Sequence, residues 1–244
     1  MFRSKLVEKK FGYEKNFRWR GAEVTRVEGF SDAVFAFAVT LLVVSLEVPK
    51  TFQELLTTMR GFIAFGFCFA VLIMFWYAQY KYFRRYALND TYVIVANAAL
   101  LFVILFYIYP LKFLLTLSTT IMLRFVDPSQ MASIIRVGQV PLLLMIYSSG
   151  YFFVFFIFFL LYAHAVKSGP ALGLNDAEMI ISRYELRGTV IQMVISLLSI
   201  AIAFLGREVL APAGGLVYFL LFPLVAINKK FMNKALKKVS EKSS

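Results

Sequence analysis

The residues best suited to chemistry lie at the start of the first long apolar segment. Arg26, Ser31 and Asp32 come just before or at the beginning of a run that reads AVFAFAVTLLVVSLEVP and ends at Pro49. An ionisable residue at the mouth of a membrane helix costs free energy, so it indicates a structural or functional role. Ser31 or Asp32 could cap the helix. A buried Asp32 would instead need donors such as Arg, Asn, Trp or backbone N–H groups.

Few other residues suggest a catalytic or metal site. Cys68 is the one cysteine and His164 the one histidine of the chain, so no disulfide within the chain and no multi-histidine metal site can form. The sequence contains no P-loop, G-x-S-x-G or H-E-x-x-H motif. His164 ends the fourth apolar segment, where an interfacial or hydrogen-bonded role is more common than a proton relay. We therefore expect no enzyme activity, no cofactor and no fixed structural metal.

Composition predicts what kind of protein must position these residues. The chain has 244 residues and is 60% hydrophobic, above the share of about one half that is typical of soluble domains. Six apolar runs each approach the ~20 residues that cross a bilayer as a helix. They predict an all-α integral membrane protein, a single six-helix transmembrane domain over 1–244. The predicted spans are 27–48, 61–83, 91–115, 140–163, 188–206 and 210–228.

The connections between the spans are short. The two longest, near 116–138 and 165–187, would be at most short helices or connectors. Only a tight turn at Gly206-Arg207-Glu208 separates the last two spans.

The distribution of lysines and arginines predicts the orientation. Positively charged loops stay cytoplasmic, and most of the 26 basic residues fall on one side if both termini are cytoplasmic. Residues 1–25 and 229–244 would then be basic cytoplasmic tails. The basic segments next to the membrane account for the net charge of +12, and such segments are attracted to anionic lipid head groups. Membrane lipids are therefore expected partners and nucleic acid is not. The predicted location is the plasma or inner cell membrane, crossed several times.

The first helix carries an apolar stripe that does not include the polar motif. At about 100° per residue, Asp32 falls ~140° from Phe37. Such a stripe more often faces lipid or core than a pore, and a threonine within it can bond back to the i−4 carbonyl. The stripe consists of Ala33, Phe37, Thr40, Leu41, Val44 and Val48.

The motif resembles a known family. R-x-x-x-F-S-D followed by A-V-F-A and T-L-L is similar to the opening helix of the transmembrane-protein-175 family, potassium channels of prokaryotes and lysosomes. The resemblance continues through Trp76 in FWYAQYKYF and through a third segment with Asp90, Asn97 and Pro110, and so covers about the first half of the chain. In this sequence the opening motif consists of Arg26, Phe30, Ser31 and Asp32.

This resemblance implies a homotetramer in which four copies of the first helix surround a central pore. No T-V-G-Y-G filter is present, so selectivity by a carbonyl cage is excluded. By position, Phe37, Leu41 and Val44 would narrow the pore, and Thr40 would form the layer that prefers potassium, with transient ions near Phe37 and Thr40. The remaining positions would form a structural hydrogen-bond network, namely Arg26, Phe30, Ser31, Asp32, Trp76, Gln79 and Asn97.

Two positions depart from the family pattern. Phe37 stands where the family usually has isoleucine or leucine, so a ring of phenylalanines could dewet the pore or offer π faces to a cation. Gln79 stands where the family typically has a histidine, and an amide does not titrate, so a pH response through that position should be absent.

The function expected from these observations is passive, potassium-preferring cation conduction through an apolar constriction. The alternative is a proton- or ion-coupled secondary transporter in which Asp32, Asp90 or Glu47 titrates. The sequence shows no convincing internal repeat and no pair of broken helices, which favours the channel.

Overall fold

Long α-helices make up most of the structure. The computed structural model describes residues 13–14, 16–44, 49–123 and 135–242. A two-stranded hairpin of β1 (Tyr13–Glu14) and β2 (Phe17–Arg18) precedes the helices. The helices are α1 (Arg26–Val44), α2 (Phe52–Tyr86), α3 (Thr91–Met122), α4 (Val140–Lys167), α5 (Asp176–Leu205), α6 (Arg207–Leu216) and α7 (Leu221–Lys242). A 3-10 turn, Val137–Gln139, leads into α4, and another, Val217–Leu220, joins α6 to α7.

The helices are those of a multi-pass membrane protein. Within the described ranges, five stretches are long and apolar enough to cross a membrane: α2, α3, α4, α5 and the nearly continuous helix Pro212–Glu241. Together with α1 they make six, so the prediction of an all-α, six-helix membrane protein is confirmed. Residues 45–48, the end of the first predicted span, lie outside the described residues.

Several helices extend beyond the apolar spans. The hydroxyl of Thr51 accepts a bond from the backbone N–H of Glu54, so α2 begins well before position 61. Asn175 and Glu178 form a capping box that starts α5, and residues 176–187 are therefore helical rather than part of a connector. α3 likewise continues through 116–122, and residues 124–134 of that predicted loop lie outside the described residues. Polar turns extend a helix without adding to its apolar run.

The terminal segments that the structure describes are not free tails. Phe17 is buried and packs edge-on against Tyr86, with ring centroids 5.6 Å apart. Arg20 forms an ion pair of 2.7 Å with Glu178 at the start of α5. At the other end, residues 229–242 continue α7 as helix. The N-terminal segment is thus fixed to the helix ends by one buried ring and one ion pair, which charge distribution alone does not predict.

Candidate functional site

The first helix has one face packed within the chain and one face uncovered. Phe35, Ala38 and Leu42 are buried, and α1 packs on both α2 and α3. On the opposite side Phe37 is 56% exposed and Thr40 is also exposed. The predicted stripe is therefore largely uncovered by the rest of its own chain.

The other members of the stripe follow the same division as far as the structure describes them. Ala33 is exposed and Leu41 is half-buried. The side chain of Val44 and the whole of Val48 lie outside the described residues. The positions predicted to narrow a pore thus begin at Phe37, about three turns into α1, and run toward its C-terminal end.

Thr40 directs its hydroxyl hydrogen to the backbone. Its Oγ1 donates to the carbonyl of Phe37 at 2.7 Å, an i−3 bond rather than the i−4 bond expected from the sequence. Because this bond occupies the only hydroxyl hydrogen, the oxygen lone pairs are what the side chain can offer to an ion. Thr40 is thus arranged as an acceptor on the uncovered face.

A buried chain of amide and hydroxyl groups joins α1, α2 and α3. Gln79 Nε2 donates to Asn97 Oδ1, and Asn97 Nδ2 donates to Ser31 Oγ at 2.9 Å. Ser31 Oγ in turn donates to the carbonyl of Val27 at 2.7 Å. All three polar side chains are almost completely buried. Since an unpaired polar group inside a membrane protein costs several kcal/mol, these bonds fix the relative position of the three helices.

Asp32 makes a second link between α1 and α2. The indole Nε1 of Trp76 donates to Asp32 Oδ1 at 2.7 Å, and the ring of Trp76 stacks on Tyr80 with centroids 5.6 Å apart. The carboxylate is exposed in the single chain, and its donor is a tryptophan, one of the residue types that a buried Asp32 would have needed. It lies at a groove of about 290 Å³ lined mostly by apolar side chains, among them Phe35 and Leu72.

Arg26 and Phe30 are not part of these links. Both side chains are exposed, and the structure shows no hydrogen bond from Arg26 to the network among the described residues. Ser31 and Asp32 do not cap the helix either, because α1 starts at Arg26. The network brought together by the structure therefore consists of Ser31, Asp32, Trp76, Gln79 and Asn97.

The cap of α1 involves residues that the sequence analysis missed. Thr25 Oγ1 accepts from the N–H of Glu28 at 3.2 Å, and Glu28 Oε1 accepts from the N–H of Thr25 at 3.1 Å. Glu28 also lies 3.9 Å from the guanidinium of Arg84 on α2. Their spacing, Thr-x-x-Glu before an apolar run, is the signature of a capping box and would have indicated them.

The remaining carboxylate candidates do not join the network. Asp90 caps α3 by accepting from the N–H of Val93 at 3.1 Å, and its Oδ2 lies 2.8 Å from His164 Nε2. His164 also stacks on Tyr92. Desolvation raises the pKa of Asp90, but the bonds from His164 and the backbone outweigh it and hold the pKa below its ordinary value. Glu47 lies outside the described residues.

The described part of the chain offers no metal site. No group of three or more His, Cys, Asp or Glu side chains lies close enough there to hold a metal ion. Cys68 is buried in the core as a free thiol. The candidate site therefore consists of an uncovered face of α1 and the hydrogen bonds that hold its opposite face.

Comparison with known proteins gives consistent matches. Residues 26–107 match the profile of a family described as endosomal/lysosomal potassium channel TMEM175. A potassium channel of Marivirga tractuosa is 35% identical over 94% of this chain and 96% of its own length.

Solved structures match as well. One is the crystal structure of a threonine-to-alanine variant of the potassium channel MtTMEM175 in complex with a nanobody fusion protein. It matches this chain with a TM-score of 0.81 and 35% sequence identity, and the match covers 91% of this chain and 99% of that chain. A TMEM175 homologue from Chamaesiphon minutus, described as a lysosomal potassium-selective channel homologue, shares the fold with a TM-score of 0.51 at 22% identity, over 85% of this chain and 97% of that chain.

Proposed function

Because this chain belongs to the TMEM175 family of potassium channels, we propose that it conducts potassium ions passively through a pore lined by α1. The observation that carries this proposal is the uncovered face of α1. A phenylalanine that is 56% exposed and an exposed threonine lie opposite the face that packs on α2 and α3. A helix held so firmly on one side can present the other side to an aqueous path.

The pore forms between copies of the chain. One chain supplies only one wall of such a pore. The number of copies that the family resemblance implies is four, so four copies of α1 surround a common axis in a homotetramer, with the stripes facing inward. Heterologous contacts between identical chains close a ring when the rotations from one chain to the next add up to a full turn. The exposed Phe37 and the half-buried Leu41 then meet their counterparts near the axis, and Val44 follows one turn further along.

Selectivity arises at two adjacent layers. Ions lose part of their hydration shell at the ring of Phe37, where an apolar constriction opposes wetting and the aromatic faces can attract a cation. The Oγ1 atoms of Thr40, whose hydrogens are directed to the backbone, replace some of the lost water oxygens. Potassium holds its hydration shell less tightly than sodium does, so this partial replacement favours potassium.

The hydrogen bonds behind α1 have a structural role in this proposal. Ser31, Asn97 and Gln79 are bonded in series, and Trp76 holds Asp32 through an indole N–H that does not titrate. A transporter that used Asp32 would need a proton donor or an exchangeable ion beside the carboxylate. The indole partner therefore supports the channel over the coupled transporter.

The membrane setting follows the same reasoning. The protein spans the plasma or inner cell membrane with both termini on the cytoplasmic side, where the basic segments face anionic lipid. Potassium ions, membrane lipids and further copies of the chain are its partners.

Cation flux from proteoliposomes tests the function. Purified protein is reconstituted with a potassium or a sodium gradient, and a protonophore dissipates the opposing voltage. We expect electrogenic flux that is faster for potassium and absent from protein-free vesicles. Flux that appears only when a proton or second ion gradient is supplied would contradict the proposal and favour the transporter.

A further inference from the structure

A basic pocket opens between α2, α5 and α7. It has a volume of about 380 Å³, and the cations Lys81, Arg85 and Lys229 contribute to its lining. Among the described residues, the carboxylate that faces them there is that of Glu185. Three positive side chains thus share one negative side chain in a space large enough for a small group.

The carboxylate of Glu185 is already paired with two of these cations. Arg85 Nη1 lies 2.8 Å from Glu185 Oε1, and Lys81 Nζ lies 3.8 Å from the same oxygen. The guanidinium of Arg85 is buried and lies over the ring of Phe17 at 5.2 Å. Lys229 is exposed and forms no ion pair within the described part of the chain. Lys229 therefore adds to the pocket a positive charge that no described carboxylate in the pocket lining pairs with.

The position of the pocket along the helices is equally informative. Lys81 and Arg85 lie in the last two turns of α2, directly after its apolar stretch. Apolar side chains of Ile181, Met232 and Leu236 line the same pocket as the charged ones. Cationic and apolar surfaces meet in this way at the depth of lipid head groups, where long basic side chains extend toward the interface.

We propose that this pocket binds the phosphate group of an anionic membrane lipid. Lys229 and Lys81 contact the phosphate oxygens, and the amides of Asn16 and Asn233, which also line the pocket, supply further donors. The apolar lining accepts the first carbons below the head group. Basic pockets between membrane helices are known to bind anionic head groups in this manner. The proposal goes beyond ion conduction and does not depend on it.

Binding is tested with purified protein in detergent micelles. Short-chain phosphatidylglycerol is titrated against the wild-type protein, with phosphatidylcholine and glycerol phosphate as comparison ligands. The readouts are the melting temperature, which rises when a ligand binds only the folded state, and the number of bound lipids in native mass spectrometry. The variants are Lys229→Gln and Lys81→Gln, and Lys230→Gln is the matched control because it removes the same charge from the neighbouring position outside the pocket lining.

We expect phosphatidylglycerol, and not phosphatidylcholine, to stabilise the wild-type protein. Lys229→Gln should weaken apparent binding about fivefold, the contribution of one lysine near a lipid surface, and Lys230→Gln should leave it unchanged. Equal weakening by Lys229→Gln and Lys230→Gln would overturn the proposal, because binding would then reflect overall charge. Unchanged binding in both variants would also overturn it, because Lys229 would then not contribute to binding. Stabilisation by glycerol phosphate as strong as by the lipid would overturn the lipid as the source of the phosphate. Melting temperatures without ligand check that the variants fold.

Discussion

Phe37 is the residue whose size most directly affects the proposed pore. Its side chain is 56% exposed on the stripe of α1, where a ring of four such groups narrows the path. We expect Phe37→Ala to raise cation flux in proteoliposomes severalfold and to lower the preference for potassium, because a wider path lets ions keep more water.

The matched control for Phe37 is Val43→Ala. Val43 is 44% exposed on the same helix but lies about 120° away from Phe37 around its axis. Its truncation should leave flux unchanged. Equal flux from Phe37→Ala and wild-type tetramers would remove Phe37 from the constriction.

Trp76 provides a test of one hydrogen bond. Trp76→Phe removes the donor to Asp32, and a bond to a charged acceptor contributes about 1 to 2 kcal/mol when partly exposed. We expect a lower melting temperature in detergent. Trp19→Phe is the control, since Trp19 also packs on Tyr80 and its Nε1 has no hydrogen-bond partner among the described residues. Comparable losses in both variants would show that ring volume matters and the bond does not.

At the scale of elements, the ion pair between the N-terminal segment and α5 makes stability depend on pH. Burial raises the pKa of Glu178, but the bonds from Arg20 and from the N–H groups of Asn175 and Arg18 outweigh it, so the pKa lies below its ordinary value. A carboxyl with a lowered pKa in the folded state stabilises above its unfolded pKa of about 4.3. This stabilisation is lost as the pH falls through the folded pKa.

Glu178→Gln should therefore destabilise the docked segment by about 2 kcal/mol at pH 7 and by little near pH 3. The measurement is hydrogen exchange at the amide of Arg18, which donates to Glu178 Oε1 at 2.8 Å. Glu23→Gln changes an exposed carboxylate in the same segment and should leave that amide protected. A constant difference between wild type and Glu178→Gln from pH 7 to pH 3 would refute the linkage.

The sequence predicts these elements better than their ends. Apolar runs locate the six helices because each must satisfy its backbone within the membrane. The beginnings of α2 and α5 depend on Thr51 and Asn175, polar caps that hydropathy does not detect although Glu follows each at the capping-box position. The contact of Arg20 with Glu178 has no local signal at all, because it depends on how distant helices pack.

The candidate site shows a similar division. The residues alone left Ser31 and Asp32 open between capping and packing, and only the resemblance to a family related them to Trp76 and Asn97. The structure adds directions that no spacing supplies: Ser31 lies inside the bundle, and Asp32 lies at its surface beside Trp76. A difference of about 100° between consecutive residues separates these two environments.

At the scale of the whole molecule, the assembly depends on how α1 is held. Asp32→Asn keeps the size of the side chain and one acceptor oxygen but removes the negative charge that strengthens the bond from Trp76. If Asp32 serves packing, we expect a smaller fraction of protein at four times the mass of one chain in light scattering. A transporter that used Asp32 would instead keep its assembly and lose coupling.

The control for assembly is Asp176→Asn, an exposed carboxylate in the first turn of α5, far along the chain from α1. Its mass distribution should equal that of the wild type. Full assembly of Asp32→Asn together with normal potassium flux would show that neither role applies to Asp32.

The ion pair between Arg20 and Glu178 also has a consequence for biosynthesis. The two residues are 158 positions apart, and translation at ~5–20 residues per second separates their appearance by roughly 8 to 30 s. During that interval Arg20 lacks the carboxylate of Glu178, although Tyr86, on which Phe17 packs, has already been made. Arg20 is therefore made early but forms its ion pair late, only after Glu178 of α5 has been made.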